Sequence, residues 1–379
     1  MSLRVGLIGC GNISATYART ARHFPDFRLV ACADHKLTTA KGLAAQHGMQ
    51  ACTPSELLRR DDVDAVLVLT PPAAHAEVAL AAIEQGKHVY LEKPLATNLH
   101  EGRQILDAAA ARQLRVGCAP DTVLGAGVQC ARQLLDGGAI GRPLTGSAMF
   151  MSHGMEHFHP NPGFFYQPGG GPVMDRGPYD IAALVTLLGP VASVMATGQV
   201  GNALRTISAP QSARRGQQIK VEVLTTVQGV LLFACGAQIS FFSSWDAWPT
   251  TVPSLEIHGT AGALQVPDAN WFGGVVQWSV AGQPWQRLDT QDWPNGRANT
   301  VRANGQSAAN YRGLGLADMA RAIREGREHR SHGDLAWHVL AVMAGLERAA
   351  AESVTVPIVA PFRHPAALSA TEAALLIRP

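Results

Sequence analysis

Five short apolar runs, each followed by an Ala-rich or amphipathic stretch, fill the first third of the chain and restrict its fold more than any other feature. The runs are LRVGLIG (3–9), FRLVACAD (27–34), VDAVLVLT (63–70), KHVYLEKP (87–94) and LRVGC (114–118). Their apolar residues are consecutive, not alternate, so a strand made from any of them buries both faces. Such strands, with helices between them, make a parallel sheet covered on both sides. The intervening segments, AHAEVALAAIEQG and NLHEGRQILDAAAARQ among them, carry helical spacing. Thr53-Pro54-Ser55-Glu56 reads as a capping box with Pro at the first helical position, and Asn98-Leu99-His100-Glu101 offers a second.

The junction between the first strand and the first helix reads Gly9-Cys10-Gly11-Asn12-Ile13-Ser14. The first glycine permits a tight turn, and the second lets the backbone approach a pyrophosphate. The helix N-terminus behind them, with the backbone at Asn12 and Ile13, favours negative charge. A serine, Ser14, takes the place of the third glycine of the usual fingerprint, which predicts slightly looser helix–strand packing. Asp34 ends the second run 23 residues beyond Gly11, where an acid would bind a ribose 2′-hydroxyl. It reads otherwise as an exposed turn residue before a helix. A carboxylate there repels a 2′-phosphate and selects NAD, although His35 and Lys36 follow it and leave NADP open.

Past residue 119 the rhythm changes. After one helix, VQCARQLLDGG, strand-like runs fall near 143–152, 191–200, 219–228, 230–236, 238–244 and 254–260. Period-2 alternation and glycine turns such as CGAQ predict antiparallel pairing. LADMARAIREGR and LAWHVLAVMAGLERAAAE return to helical spacing, and the polar segments 201–218 and 287–310 read as exposed loops. With 379 residues, the chain divides into an α/β dinucleotide-binding domain of the Rossmann kind, a doubly wound parallel sheet, over 1–119. An α+β domain with a large, mostly antiparallel open sheet follows over 120–379.

Charge and cysteines exclude other classes. Thirty-one basic against twenty-nine acidic residues give a net charge of +2, with no Lys/Arg stripe for a nucleic acid. The longest apolar run, IAALVTLLG, stops at Gly189-Pro190, short of a membrane span. The first residues already read as a strand, leaving no room for a signal peptide. The six cysteines form no C-x-x-C pair and sit in or near apolar runs, as reduced, packed thiols of a cytoplasmic protein do.

Chemistry concentrates in two places. In KHVYLEKPL a buried strand ends in Glu92-Lys93-Pro94, at the sheet edge where open α/β sheets bind ligands. Pro94 fixes where the amine points. An exposed Lys paired with Glu92 is the bland alternative. Thr70 and Pro71 end the preceding strand on the same side, and His75 follows, either beside the cofactor or as a structural residue. The second place is GGGPVMDRGPYD (169–180), where Asp175 and Tyr179 stand four positions apart and share one helix face. Asp175 alternatively caps the helix, with Pro178 in its first turn. His153, His157 and His159 would share one face of an extended strand, a geometry open to metal, to substrate contact or to plain packing. Trp245, Asp246 and Trp248 fit a sugar-stacking surface or an interface equally well.

GLIGCGNIS, EKP and GGGPVMDRGPYD, in this order, resemble the glucose–fructose oxidoreductase / inositol dehydrogenase / MocA family over nearly the whole chain, including LADMARAIREGR…GDLAWHVLAVM. The resemblance implies an NAD(P)-dependent oxidoreductase acting on a hydroxyl or carbonyl of a sugar, polyol or related small molecule, with no metal. It implies that Lys93 is the catalytic lysine, Asp175 the substrate-side aspartate, and Tyr179 the position that is His in many members and Tyr in some. A phenol is a poor base alone, with an ordinary pKa of about 10. An ammonium beside it would favour the phenolate, so Lys93 and Tyr179 are assigned to proton transfer and Asp175 to orientation. CAPDTVLG departs from the commoner Asn or Arg after the fifth strand, making Asp121 and Thr122 candidate substrate contacts beside His157 and His159. The same scaffold hosts redox-neutral, NAD-retaining glycosidases and could serve a cofactor-sensing regulator; an intact EKP and Asp175/Tyr179 speak against the latter. An open sheet with one apolar face implies a homodimer or homotetramer.

Overall fold

The computed structural model describes residues 2–248, 250–302 and 304–378. In the first half, β1 (Leu3–Ile8), β2 (Phe27–Ala33), β3 (Gln50–Cys52), β4 (Ala65–Val68), β5 (His88–Leu91) and β6 (Val116–Cys118) pair in parallel, in the order 3-2-1-4-5-6. Helices α1 (Ser14–Thr20), α2 (Leu37–His47), α3 (Pro54–Leu58), α4 (His75–Glu84) and α5 (Leu99–Ala111) make the crossovers. The order reverses between β1 and β4, which opens a crevice at their carboxyl ends. Consecutive burial of Ala65, Val66, Leu67 and Val68, all 0% exposed, is what the continuous apolar runs predict. The sixth strand, β3, is only three residues long and sits at the sheet edge with Gln50 exposed, too short to register as an apolar run.

The Thr53 capping box forms as expected: the Thr53 hydroxyl accepts from Glu56 N, and Glu56 accepts from Thr53 N at 2.8 Å. At Asn98 only half of the box forms. Asn98 Oδ1 accepts from Glu101 N at 2.9 Å, but the Glu101 carboxylate turns to Thr97 instead.

The second half contains α6 (Ala126–Asp136), β7 (Pro143–Met151), α7 (Gly171–Leu188), β8 (Val191–Gln199), β9 (Leu204–Thr206) and β10 (Gln218–Lys220). Next come β11 (Thr226–Phe233), β12 (Gln238–Ser244), β13 (Leu255–Gly259), β14 (Gly262–Val266), β15 (Val275–Val280), β16 (Gln286–Asp289), β17 (Thr300–Val301) and β18 (Ser307–Ala308). The chain closes with α8 (Leu314–Glu325), α9 (Gly333–Glu352), β19 (Val356–Pro357) and α10 (Ala370–Leu376). Nine of these strands form one sheet in the order 16-15-14-13-7-12-11-8-19, antiparallel except for the parallel β7–β12 pair. Helices α7 and α9 pack along one face.

Three expectations about this half are corrected. The run 219–228 is split between the end of β10 and the start of β11, and β11 continues through most of 230–236, because the backbone of Val221, Glu222 and Thr225 between them bonds to three different partners, Ala203, Tyr166 and Gln199. The segment 201–218 is not simply an exposed loop: β9 pairs with β10, and Arg205, 4% exposed, bridges Glu156 and Asp246. The segment 287–310 likewise holds the end of β16, the β17–β18 pair and the buried Thr290 and Asn295. Polar composition misleads in both segments because the polar groups are buried with partners, Arg205 against carboxylates and Thr290 and Asn295 against the backbone of Gly274 and Leu124.

After residue 310 the chain returns to the first sheet. Cys118 N donates to Ser331 O at 3.0 Å, Arg378 N to His23 O at 2.7 Å, and Arg324 ion-pairs with Asp26 at 2.7 Å. Among the described residues no helix is long and apolar enough to cross a membrane.

Candidate active site

The crevice between β1 and β4 is shaped by two glycines with different reasons to be there. Gly9 has φ +102°, and a Cβ on it would meet the Leu69 carbonyl carbon at 2.6 Å. Gly11 has open space before it, the room a pyrophosphate needs at the start of α1. Asn12 is exposed and Ile13 half-buried at the helix start. Ser14, in the third fingerprint position, is buried and donates its hydroxyl to Gly11 O at 2.6 Å, bracing the turn. Asp34 fixes the same turn from β2: its Oδ2 accepts from Cys10 N at 2.9 Å, while Oδ1 accepts from Lys36 N at 2.9 Å and meets His35 Nδ1 at 3.0 Å. A carboxylate has about four acceptor positions, so one on Oδ2 remains for a ribose hydroxyl. Thr70 Oγ1 is buried beside the same crevice with no partner among the described residues. A nucleotide fits these groups.

His75 is fully buried, with Nδ1 2.7 Å from Pro94 O and Nε2 2.9 Å from Thr70 O. It ties the segment after β4, with Thr70 and Pro71, to the segment after β5. Both ring nitrogens are used by the protein, so its part in cofactor binding is through the backbone it holds. Glu92 also faces inward: Oε1 accepts from Tyr17 of α1 at 2.9 Å and Oε2 from Lys93 N at 3.0 Å. The exposed Lys93–Glu92 pair is therefore not formed.

Lys93 instead crosses to α7. Its Nζ donates to Asp175 Oδ1 at 2.8 Å and to Asp175 O at 2.7 Å. The helix begins at Gly171, earlier than a cap at Asp175 would allow. Gly169 and Gly171 have positive φ, a Cβ on Gly170 would strike Phe165 O, and Pro172 occupies the first turn. The three glycines are thus the turn into the helix, and Asp175 and Tyr179 share a face inside it. Pro178 lies in the interior, where it has no N–H for the Met174 carbonyl and its ring crowds that carbonyl. Burial works against the Lys93 charge, but Asp175, Tyr179 and Glu92 outweigh it and hold the ammonium above its ordinary pKa. Lys93 is a cation here, not a free base.

Three cations surround the Tyr179 ring. Lys93 Nζ lies 5.2 Å and the Arg176 guanidinium 5.4 Å from its centroid, and Arg312 Nη2 is 3.5 Å from its hydroxyl. Arg176 pairs with Asp180 at 3.1 Å and with Asp268 at 2.7 Å. Arg312 is held by Asn270 Oδ1 at 2.7 Å and Asn310 Oδ1 at 3.1 Å. Arg176, Asp268, Asn270 and Arg312 escaped the sequence reading. The only local signal for Arg312 was NYRGLG, a glycine turn directly before a helical run.

The remaining candidates have surroundings of their own. Asp121 is buried, and its Oδ2 accepts from Gly313 N at 2.7 Å and Gly315 N at 3.1 Å, satisfying the start of α8. Thr122 is also buried, its hydroxyl without a partner among the described residues. Neither offers a substrate an accessible polar group, which corrects that expectation. The three histidines are not on a strand, since β7 ends at Met151. His153 stacks between His157 and the exposed Trp248, and His157 Nδ1 meets Ser208 Oγ at 2.6 Å. His159 Nδ1 accepts from Asn161 N at 3.1 Å, and its ring packs edge-on against Phe164 and Phe165. Among the described residues no three His, Cys, Asp or Glu side chains converge on a metal position. Trp245 is fully buried against Tyr166, and Asp246 accepts from Thr225 and Thr226, so both are framework.

Comparison with known proteins agrees with this fold. Residues 3–119 match the GFO_IDH_MocA family model, described as an oxidoreductase family with an NAD-binding Rossmann fold, and residues 128–265 match the GFO/IDH/MocA C-terminal domain. An inositol 2-dehydrogenase of Ralstonia nicotianae is 37% identical over 151 residues, 38% of this chain but only 44% of that protein's length. A dTDP-3,4-didehydro-2,6-dideoxy-alpha-D-glucose 3-reductase of Streptomyces antibioticus is 30% identical over 276 residues, 70% of this chain and 76% of that one. Levoglucosan dehydrogenase, solved with NADH and levoglucosan, superposes with a TM-score of 0.80 at 24% identity, covering 95% of this chain and all of that one.

Proposed function

Because the chain belongs to the GFO/IDH/MocA oxidoreductase family, we propose that it is an NAD-dependent dehydrogenase acting on a hydroxyl of a sugar, polyol or related small molecule. One observation carries this reading: an ammonium from the end of β5, Lys93, meets a carboxylate of α7, Asp175, one turn before a phenol, Tyr179. The relatives support the substrate class, since the named activities are on an inositol and on sugars.

Gly11 and the N-terminus of α1 would hold the pyrophosphate, Asp34 the adenosine ribose, and the Thr70–Pro71 and Glu92 segments the walls of the nicotinamide end. NAD supplies the electron acceptor when bound. The carbon bearing the hydroxyl would give up a hydride to such an acceptor only as the hydroxyl loses its proton, so the chain must manage that proton. Lys93, kept charged by Asp175, donates a hydrogen bond to the reacting oxygen and stabilises the charge that develops there. Tyr179, reacting as its phenolate, takes the proton. Asp175 orients Lys93 and offers its second oxygen to a neighbouring hydroxyl.

Copies of the chain assemble through the face of the nine-stranded sheet turned away from α9, where Met195 stands 41% exposed. A cytoplasmic site of action suits five buried, unpaired cysteines. The test is NADH formation on a panel of polyols, sugars and sugar acids. Turnover with net NADH supports the reading; NAD binding without turnover of any member overturns it.

A further inference from the structure

Two of the three cations facing Tyr179 are neutralised by the protein and the third is not. Lys93 has Asp175 at 2.8 Å, and Arg176 has Asp180 at 3.1 Å and Asp268 at 2.7 Å. Arg312, only 9% exposed, has no carboxylate within 4.0 Å among the described residues. Its partners are neutral: Asn270, Asn310 and the Tyr179 hydroxyl. The two nearby carboxylates are turned to other donors, Glu92 to Tyr17 and Lys93 N, and Asp121 to the backbone of Gly313 and Gly315. A guanidinium this far from water without a contacting counter-ion is costly. Two amides nevertheless hold it in place beside the reacting phenol, and its Nε–H has no acceptor among the described residues.

We infer that Arg312 is the anchor for a carboxylate of the substrate, so that the hydroxyl oxidised belongs to a sugar acid or another polyhydroxy carboxylate. The inference rests on the dehydrogenase reading above and narrows it. A planar guanidinium with free N–H groups is the side chain best matched to a carboxylate, which it binds through charge-assisted bonds. A single uncompensated charge suits a monoanion better than a phosphate dianion. The neutralised Lys93 and Arg176 leave Arg312 as the group that distinguishes an acid from the corresponding neutral sugar.

The experiment compares matched pairs, gluconate with glucitol and glucuronate with glucose among them, by steady-state NADH formation. The wild-type protein should favour the acid of the preferred pair by about 100-fold in kcat/KM. Arg312→Met should bring that ratio to about 1, mainly through KM for the acid, and Arg312→Lys should restore part of it. Asn270→Asp, which supplies the missing counter-ion from within, should also abolish the preference and guards against a misfolded Arg312 variant. Wild-type turnover of neutral polyols equal to that of their acids, or variants that leave the ratio untouched, would overturn the inference while the dehydrogenase reading stands. No turnover of any pair would remove both.

Discussion

Lys93 Nζ grips Asp175 twice, through the carboxylate at 2.8 Å and the backbone carbonyl at 2.7 Å, across 82 residues of sequence. The two therefore act as one unit. Lys93→Met and Asp175→Asn should each lower kcat by about 100-fold or more, with NADH affinity, read by fluorescence titration, changed by less than about threefold. The double variant should be little worse than the poorer single one. Additive losses would show that the residues work independently.

The two glycines of the first turn should fail differently. Gly9→Ala forces a side chain into φ +102° and against the β4–Thr70 backbone, and should cost about 2–3 kcal/mol in urea unfolding. Gly11→Leu points into open space in the free protein and should leave unfolding nearly unchanged while raising KM for NAD at least tenfold. A Gly11→Leu protein with normal cofactor KM would place the nucleotide elsewhere.

Asp121 should leave a mark on stability against pH. Burial, only partly offset by the Gly315 N–H bond and Arg312, pushes its pKa from 3.8 up to about 6. A raised acid binds its proton more tightly when folded, so this carboxyl costs stability as pH rises from about 4 to about 6, and the loss persists above. Asp121→Asn keeps an oxygen for Gly313 and Gly315 but cannot ionise. Its denaturation midpoints should lack that decline, with a difference at pH 8 on the order of 1–3 kcal/mol. Parallel pH profiles for the two proteins would contradict this.

Arg205 bridges two carboxylates, Glu156 and Asp246, at a site where it and Glu156 are almost wholly buried. Arg205→Met leaves both acids without their cation and should cost about 3–5 kcal/mol, measured by chemical denaturation at neutral pH. A loss below about 1 kcal/mol would mean that water replaces the guanidinium.

The parts of this molecule that were legible in the sequence are those fixed by local pattern. Continuous apolar runs gave the parallel sheet, the glycine turn and Asp34 meet at the crevice between β1 and β4, and the i, i+4 spacing of Asp175 and Tyr179 survives in α7. Errors arose where tertiary partners override composition. The triple glycine looked like the approach to a cap at Asp175, yet it is the turn that starts a helix four residues earlier. Asp121 looked available because its sequence neighbours cannot reveal that Gly313 and Gly315, almost two hundred positions away, consume its oxygen. Arg312 was hidden for the same reason: that no carboxylate among the described residues lies within 4.0 Å of it is decided by the fold, not by NYRGLG.

The backbone that carries Arg312 belongs to the nucleotide-binding half. Its carbonyl accepts the Thr20 hydroxyl of α1, and the next glycines are clamped by Asp121. The tip of the side chain reaches the second half through Asn270, in the connection between β14 and β15, and Tyr179 of α7. A chimera that exchanges residues 126–308 for those of a relative would thus import a new Asp–Tyr face yet retain this chain's own guanidinium, separating the machinery of turnover from the choice of what is turned over.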